Sequence, residues 1–163
     1  TGIGLLVVEA AHMAKKGMDR KKIVEEIERL KPMVRSSFVV DTLTYLHRGG
    51  RCSSVAALAG GALKLHPKIV VENGKMGANK KYRGKMSSVI LSYAKDLEED
   101  LKNAKKDRVF ITHSGCDTDI IESVREYLES LNKFDEILET RAGGVISSHC
   151  GPGTLGVLFI KGE

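Results

Sequence analysis

The chain has 163 residues, 42% hydrophobic and 29% charged, the balance of one ordinary globular domain or of one domain with a piece of another. Lys and Arg total 26 against 21 Asp and Glu, but the +5 charge is scattered, aromatic residues make up 5% and Trp is absent, which argues against nucleic acid as a partner. Cys52, Cys116 and Cys150 contain no C-x-x-C pair, so a disulfide framework and a four-cysteine zinc site are both disfavoured and a reducing cytoplasm is expected.

The chain opens on Thr1 with an apolar helical pattern, which reads as a fragment of something longer. Gly2 to Ala14 lacks the basic start of a signal peptide and carries Glu9 and His12, and no run approaches the ~20 apolar residues of a membrane span. Leu5 to Lys16 reads as a helix stopped by Gly17. Asp19 caps a second, with Met18 and Ile23 placed as a hydrophobic staple and Ile23, Ile27 and Leu30 on one stripe before Pro32. Two helices with no strand of their own suggest a boundary near Pro32 to Ser37, with residues 1–35 the tail of a preceding domain and 36–163 a domain in itself.

Phe38 to Val40 reads as a strand, and Asp41 as the cap of a helix through Leu43 and Leu46 that ends at Gly49 and Gly50. A small-residue helix is expected from Ser53 or Ser54 to Gly60 and Gly61, with Ala62 beyond them. Ile69 to Val71 and Met76 to Tyr82 form a hairpin about Asn73-Gly74, a pair suited to a type I′ turn. From Lys85 to Ala104 the residues Met86, Val89, Ile90, Tyr93, Leu97 and Leu101 keep one helical stripe, the clearest in the chain. Val109 to Thr112 is a strand, and a second long helix from Asp119 carries Ile121, Val124, Leu128 and Leu131, with Asp117 and Thr118 offering caps. Glu136 to Arg141 and Thr154 to Ile160 close the list of strands, with Gly143-Gly144 as a turn. The class is therefore α/β or α+β with a mixed sheet.

Four places could carry chemistry. Gly49-Gly50-Arg51 either brings backbone close to a ligand or simply caps a helix. His149-Cys150-Gly151-Pro152-Gly153 sets a histidine on a rigid loop, where it could bond a carboxylate or phosphate, or it is merely a turn. Lys80-Lys81-Tyr82-Arg83-Gly84-Lys85 is a basic cluster at a strand-to-helix junction, a phosphate receiver or a solvated charge run. The small residues of Ser53 to Ala62 leave room for a long apolar ligand or let helices pack closely. Two enzyme readings stand beside these. His113, Cys116, His149 and Cys150 could gather zinc, though their spacing fits no standard frame. His149 with Ser114 or Cys150 could be a nucleophile pair of a hydrolase or phosphotransferase, though no G-x-S-x-G elbow, P-loop or G-x-G-x-x-G is present.

Taken in order, Asp41-Thr42-Leu43-Thr44-Tyr45-Leu46-His47-Arg48-Gly49-Gly50-Arg51, then Asn73-Gly74-Lys75, Tyr82-Arg83 and His149-Cys150-Gly151-Pro152-Gly153, resemble the DegV family. The resemblance implies a C-terminal domain with a mixed, largely antiparallel sheet and helices, with Gly2 to Pro32 the last helices of a truncated N-terminal α/β domain. It implies a cytoplasmic bacterial carrier rather than an enzyme, with no cofactor and no metal. Such a carrier binds a long-chain fatty acid between its domains and presents the carboxylate to a separate fatty-acid kinase, with transient membrane contact and no nucleic acid as partner. On the same resemblance His149 holds the carboxylate together with hydroxyl residues outside this sequence, and Arg51 and Arg83 serve phosphoryl transfer or kinase docking. Gly49, Gly50, Gly151, Pro152 and Gly153 would be the loops that approach the ligand. Cys52, Cys150 and His66-Pro67-Lys68 depart from the family pattern and bear on acyl selectivity. A plain interaction module is the remaining alternative.

Overall fold

The structure, a computed structural model, describes residues 1–50, 65–72 and 74–162. Helices α1 (Gly2–Lys15) and α2 (Arg20–Leu30) lead through a 3-10 turn at Lys31–Met33 into β1 (Val34–Val39) and the short α3 (Thr44–Arg48). Then come β2 (Leu65–Glu72), β3 (Lys75–Arg83), α4 (Met86–Lys95) and α5 (Glu98–Lys102). Strand β4 (Ala104–His113), α6 (Thr118–Ser130), β5 (Glu136–Arg141), α7 (Gly144–Cys150) and β6 (Leu155–Lys161) complete it. Arg51, Cys52, the small-residue helix expected from Ser53 and the Asn73 half of the hairpin turn lie outside the described residues.

Among the described residues six strands form one sheet in the order β3-β2-β1-β6-β4-β5. Every pairing is antiparallel except β4 with β5, which α6 joins as a crossover. The hairpin is as expected, with Glu72 opposite Lys75 and Gly74 at φ +73. Its pairing with β1, and that of β1 with β6, join segments remote in sequence and become visible only in the fold.

One face of the sheet is closed by the stripes of α4 and α6, with Val89, Ile90, Tyr93, Val124 and Leu128 packed on Val109, Ile111, Leu155, Val157 and Phe159. The helix expected to run unbroken from Lys85 to Ala104 is instead two. The Leu97 amide bonds back to the Ala94 carbonyl at 3.2 Å, three residues away rather than four, while Asp96 receives the Tyr82 hydroxyl at 2.7 Å and the Lys80 ammonium. Tightening that turn keeps Leu97 buried and anchors Asp96 to β3. Ala104 belongs to β4, not to a helix.

Among the described residues the opposite face is covered only at its ends. At one end α1 and α2 pack Leu5, Met13 and Leu30 against Phe110, Leu158 and Ile160, so the two helices expected to have no sheet of their own cover this one. At the other end Leu46 of α3 and Cys150 of α7 sit with Val40 and Ile69. Asp41 does not cap α3: Leu43 holds the cap position, the Thr42 hydroxyl accepts from the Thr44 amide at 3.2 Å, and Asp41 lies 3.3 Å from the buried His66. Gly143-Gly144, expected as a turn, is the start of α7, with Gly143 at the cap position. His149 therefore stands on the last turn of a helix and not on a loop.

Candidate functional site

Strand pairing places the Asp41–Gly50 and His149–Gly153 motifs at one end of the sheet, with Gly74-Lys75 at the other. Val39 of β1 lies opposite Leu155 of β6, Leu155 opposite His113 of β4, and His113 opposite Arg141 of β5. Helix α3 leaves β1 at this end and α7 bridges β5 to β6 there, so the Asp41–Gly50 and His149–Gly153 segments become neighbours. Their contact is reciprocal. A side-chain carbon at Gly49 would overlap Cδ2 of His149 and lie 2.8 Å from its Nε2, and one at Gly151 (φ +81) would lie 2.6 Å from Cε2 of Tyr45. Each motif thus supplies a glycine whose missing side chain accommodates a ring of the other.

Between the two covered ends of the face lies a cavity of about 1070 Å³, at the upper limit of ordinary ligand sites, roughly 300–1,000 Å³. Its floor is the outward set of alternate strand residues, Ser36 and Phe38 of β1, Gly156 and Leu158 of β6, and Val71 and Met76 of the hairpin. Its walls are the first turns of α1, with Ile3 and Leu6, and one side of α7, with Val145, Ile146 and His149. Ile3, Val145 and Ile146 keep 75%, 74% and 45% of their surface exposed, so the mouth is apolar while the α7 end also carries Ser114, Thr154 and His149. A mostly apolar floor, with Ser114, Thr154 and His149 at the α7 end and the charged Glu28, Lys31, Arg35 and Glu72 at the other, suits an amphipathic ligand.

His149 Nδ1 lies 2.7 Å from the Val145 carbonyl, and because a carbonyl only accepts, Nδ1 carries the hydrogen. Nε2 is then an acceptor in the neutral ring and a donor to an anion in the doubly protonated ring, the form that would give a charge-assisted bond to a carboxylate. His113, by contrast, is fully engaged. Its Nδ1 accepts from the amides of Gly115 and Cys116 at 3.2 and 3.3 Å, and its Nε2 donates to Glu139 at 3.1 Å. The Ser114 hydroxyl donates to the Gly151 carbonyl. Among the described residues no hydrogen bond joins His149 to Ser114 or Cys150, and no group of three or more His, Cys, Asp or Glu could hold a metal. Burial pushes the Cys150 thiol up, and burial together with the Asp117 carboxylate pushes Cys116 up to about 11, so neither is a thiolate nucleophile near neutrality.

The remaining sequence candidates are placed as follows. Gly49, Gly50, Gly151, Pro152 and Gly153 are not among the residues that line the cavity, and the close approach at Gly49 and Gly151 is to rings of the protein itself. Arg83 is exposed at the end of β3 opposite Leu65, outside the cavity but at the same end of the sheet as α3 and α7. Lys80 of the basic cluster is paired with Asp96. Arg51 lies outside the described residues. Sequence reading missed Ser36, Phe38, Val145, Ile146 and Gly156; the only signal for the strand residues is period-2 alternation, which says nothing of which face stays uncovered.

The sequence matches the family described as "Uncharacterised protein, DegV family" over residues 1–162. A DegV domain-containing protein of Clostridium perfringens is 36% identical over 160 residues, 98% of this chain and 54% of that protein. The structure of a DegV family protein from Thermus thermophilus, described by its fatty-acid binding, superposes with a TM-score of 0.85 at 29% identity, covering 98% of this chain and 57% of that one. DegV of Bacillus subtilis, described as a fatty acid binding protein, gives 0.77 at 28% identity, with 98% and 56% covered. The chain spans about half the length of the relatives it matches. No helix among the described residues is long and apolar enough to cross a membrane. The fold, the motif order and these matches together place the chain in the DegV family.

Proposed function

We propose that this chain is the C-terminal part of a fatty-acid carrier. Its cavity takes the acyl chain, His149 holds the carboxylate, and the loaded protein presents that carboxylate to a separate fatty-acid kinase in the cytoplasm. The cavity between α1 and α7, with an apolar floor and His149 at one end, carries this reading. Burying methylenes on Phe38, Leu158 and Met76 contributes ~0.8 kcal/mol each, while the carboxylate, costly to dehydrate, finds a charge-assisted donor. Relatives carry nearly as much chain again outside the matched part. In this reading that part forms the opposite wall against the exposed Ile3, Val145 and Ile146, and α1 and α2 of residues 1–35 are its last helices, packed across onto residues 36–163, although Val34 and Arg35 already belong to β1 and the expected boundary falls inside that strand. No cofactor takes part, and membrane contact is transient, for loading and release.

The test is a fatty-acid titration of the full-length protein. His149→Ala should weaken binding by about 1.5–3 kcal/mol, the loss of a hydrogen bond to a charged group; unchanged affinity would remove His149 from the site. Turnover of a soluble acyl ester by the protein without a partner would instead favour the hydrolase reading.

Arg51 and Arg83 serve the phosphoryl group or the kinase and not the acyl chain. The guanidinium fork matches two phosphate oxygens in a way an ammonium cannot. Arg51→Lys should retain fatty acid normally yet form acyl-phosphate at least about tenfold more slowly with kinase and ATP, since positioning and charge stabilisation dominate phosphoryl transfer. A normal rate from fully loaded Arg51→Lys would return Gly49-Gly50-Arg51 to the role of a helix cap.

A further inference from the structure

We infer that Gly49 is a positioning residue for His149, fixing which nitrogen of the imidazole meets the ligand; this rests on the fatty-acid reading above. Among the described residues two contacts set the ring's orientation, beside a Ser148 hydroxyl 3.4 Å from Nδ1. Val145, one turn back along α7, takes the Nδ1 hydrogen at 2.7 Å. The Cδ2–Nε2 edge lies against the end of α3, in space that any side chain at Gly49 would occupy, 2.8 Å from Nε2. Gly49 has φ −78, an ordinary backbone conformation, so glycine is not demanded there by the chain's own path. What demands it is the ring.

The neighbouring lock, Tyr45 against Gly151, fixes α3 and α7 to each other, so the ring cannot yield by a simple separation of the helices. An alanine at position 49 would swing the imidazole about χ1 and χ2 and break the Val145 bond, and with it the choice of nitrogen left for the ligand. The glycine of the Asp41–Gly50 motif thus acts on the ligand through the histidine of the other motif, about a hundred residues later.

The experiment is a double-mutant cycle in the full-length protein, with palmitate affinity and thermal midpoint read for wild type, Gly49→Ala, His149→Ala and the pair. Gly49→Ala should raise Kd about tenfold or more, as His149→Ala does, and the pair should bind no worse than His149→Ala alone. Its lowered midpoint should recover in the pair, where no ring is left to displace. The ring-nitrogen signals of 15N-labelled His149 should show a protonated Nδ1 in wild type and lose that signature in Gly49→Ala. Losses that multiply, or a Gly49→Ala protein that binds like wild type, overturn the inference and leave the fatty-acid reading standing. A wild-type protein that binds no fatty acid overturns that reading and this inference with it. Should Gly49→Ala not fold, the pair decides: recovery of folding supports the ring contact, and failure overturns it.

Discussion

Replacing Glu9 with alanine should lower the unfolding free energy by about 3–5 kcal/mol, the cost of stripping a buried charge of its partner. The Glu9 carboxylate, on α1, binds the Arg108 guanidinium of β4, and the two side chains are only 10% and 4% exposed. Lys105 reaches the second carboxylate oxygen at 3.0 Å, and Arg108 also contacts Nδ1 of His12 at 2.7 Å and Glu136 at 3.1 Å. Without Glu9 the guanidinium keeps the half-exposed Glu136, which screens it incompletely. Glu136→Ala should therefore cost less than about 1 kcal/mol, because water replaces an exposed partner. The measurement is urea denaturation of both variants, and equal losses would refute the asymmetry. Glu9 also pins the helix whose first turns wall the cavity, so fatty-acid retention should fall with stability in Glu9→Ala and hold in Glu136→Ala.

This network shows where sequence reading reaches its limit. The stripe on α6 and the hairpin about Gly74 are local patterns, and the period of the apolar residues defines them before any partner is known. Residues 104–108 carry Lys105, Lys106, Asp107 and Arg108, so the start of β4 has no strand signature; it is a strand because Ala104 pairs with Lys161 and because Arg108 finds Glu9 nearly a hundred residues earlier. Helix α7 was hidden for the opposite reason. Gly144, Val145, Ile146, Ser147 and Ser148 are poor helix formers, and the segment coils because Cys150 packs with Leu46 and Val40. Motif order did identify the family. It could not show that Gly49 lies against His149, or that Ser36, Phe38, Gly156 and Leu158 line one cavity, since both follow from pairings between distant segments.

Tyr93→Phe should cost about 2–4 kcal/mol, although it removes a single oxygen and preserves the ring's packing. The Tyr93 hydroxyl is fully buried, donates to the Ser37 carbonyl at 2.8 Å, accepts from the Val157 amide at 2.9 Å and lies 2.9 Å from the Ser37 hydroxyl. Ser37 and Val157 face each other across β1 and β6, so one phenol from α4 ties the two central strands together. Phenylalanine leaves the Val157 N–H and the Ser37 carbonyl buried without that partner, each worth about 1–3 kcal/mol. Burial pushes the Tyr93 phenol up to about 12, against the hydrogen bonds that would lower it, whereas an unfolded tyrosine titrates near 10. The folded protein therefore holds the proton longer, and this contribution to stability, complete below about pH 10, is lost as pH rises towards about 12. The gap between wild type and Tyr93→Phe should accordingly narrow from pH 8 to pH 11 in urea melts, even though Tyr127, also raised to about 12 by burial and by Glu98, titrates in both proteins. A gap that stayed constant would mean that the phenol is not held neutral by its burial. Because Ser36, Phe38, Gly156 and Leu158 project from the same two strands onto the other face, Tyr93→Phe should lower stability while leaving the cavity floor and its affinity for fatty acid unchanged below the melting transition.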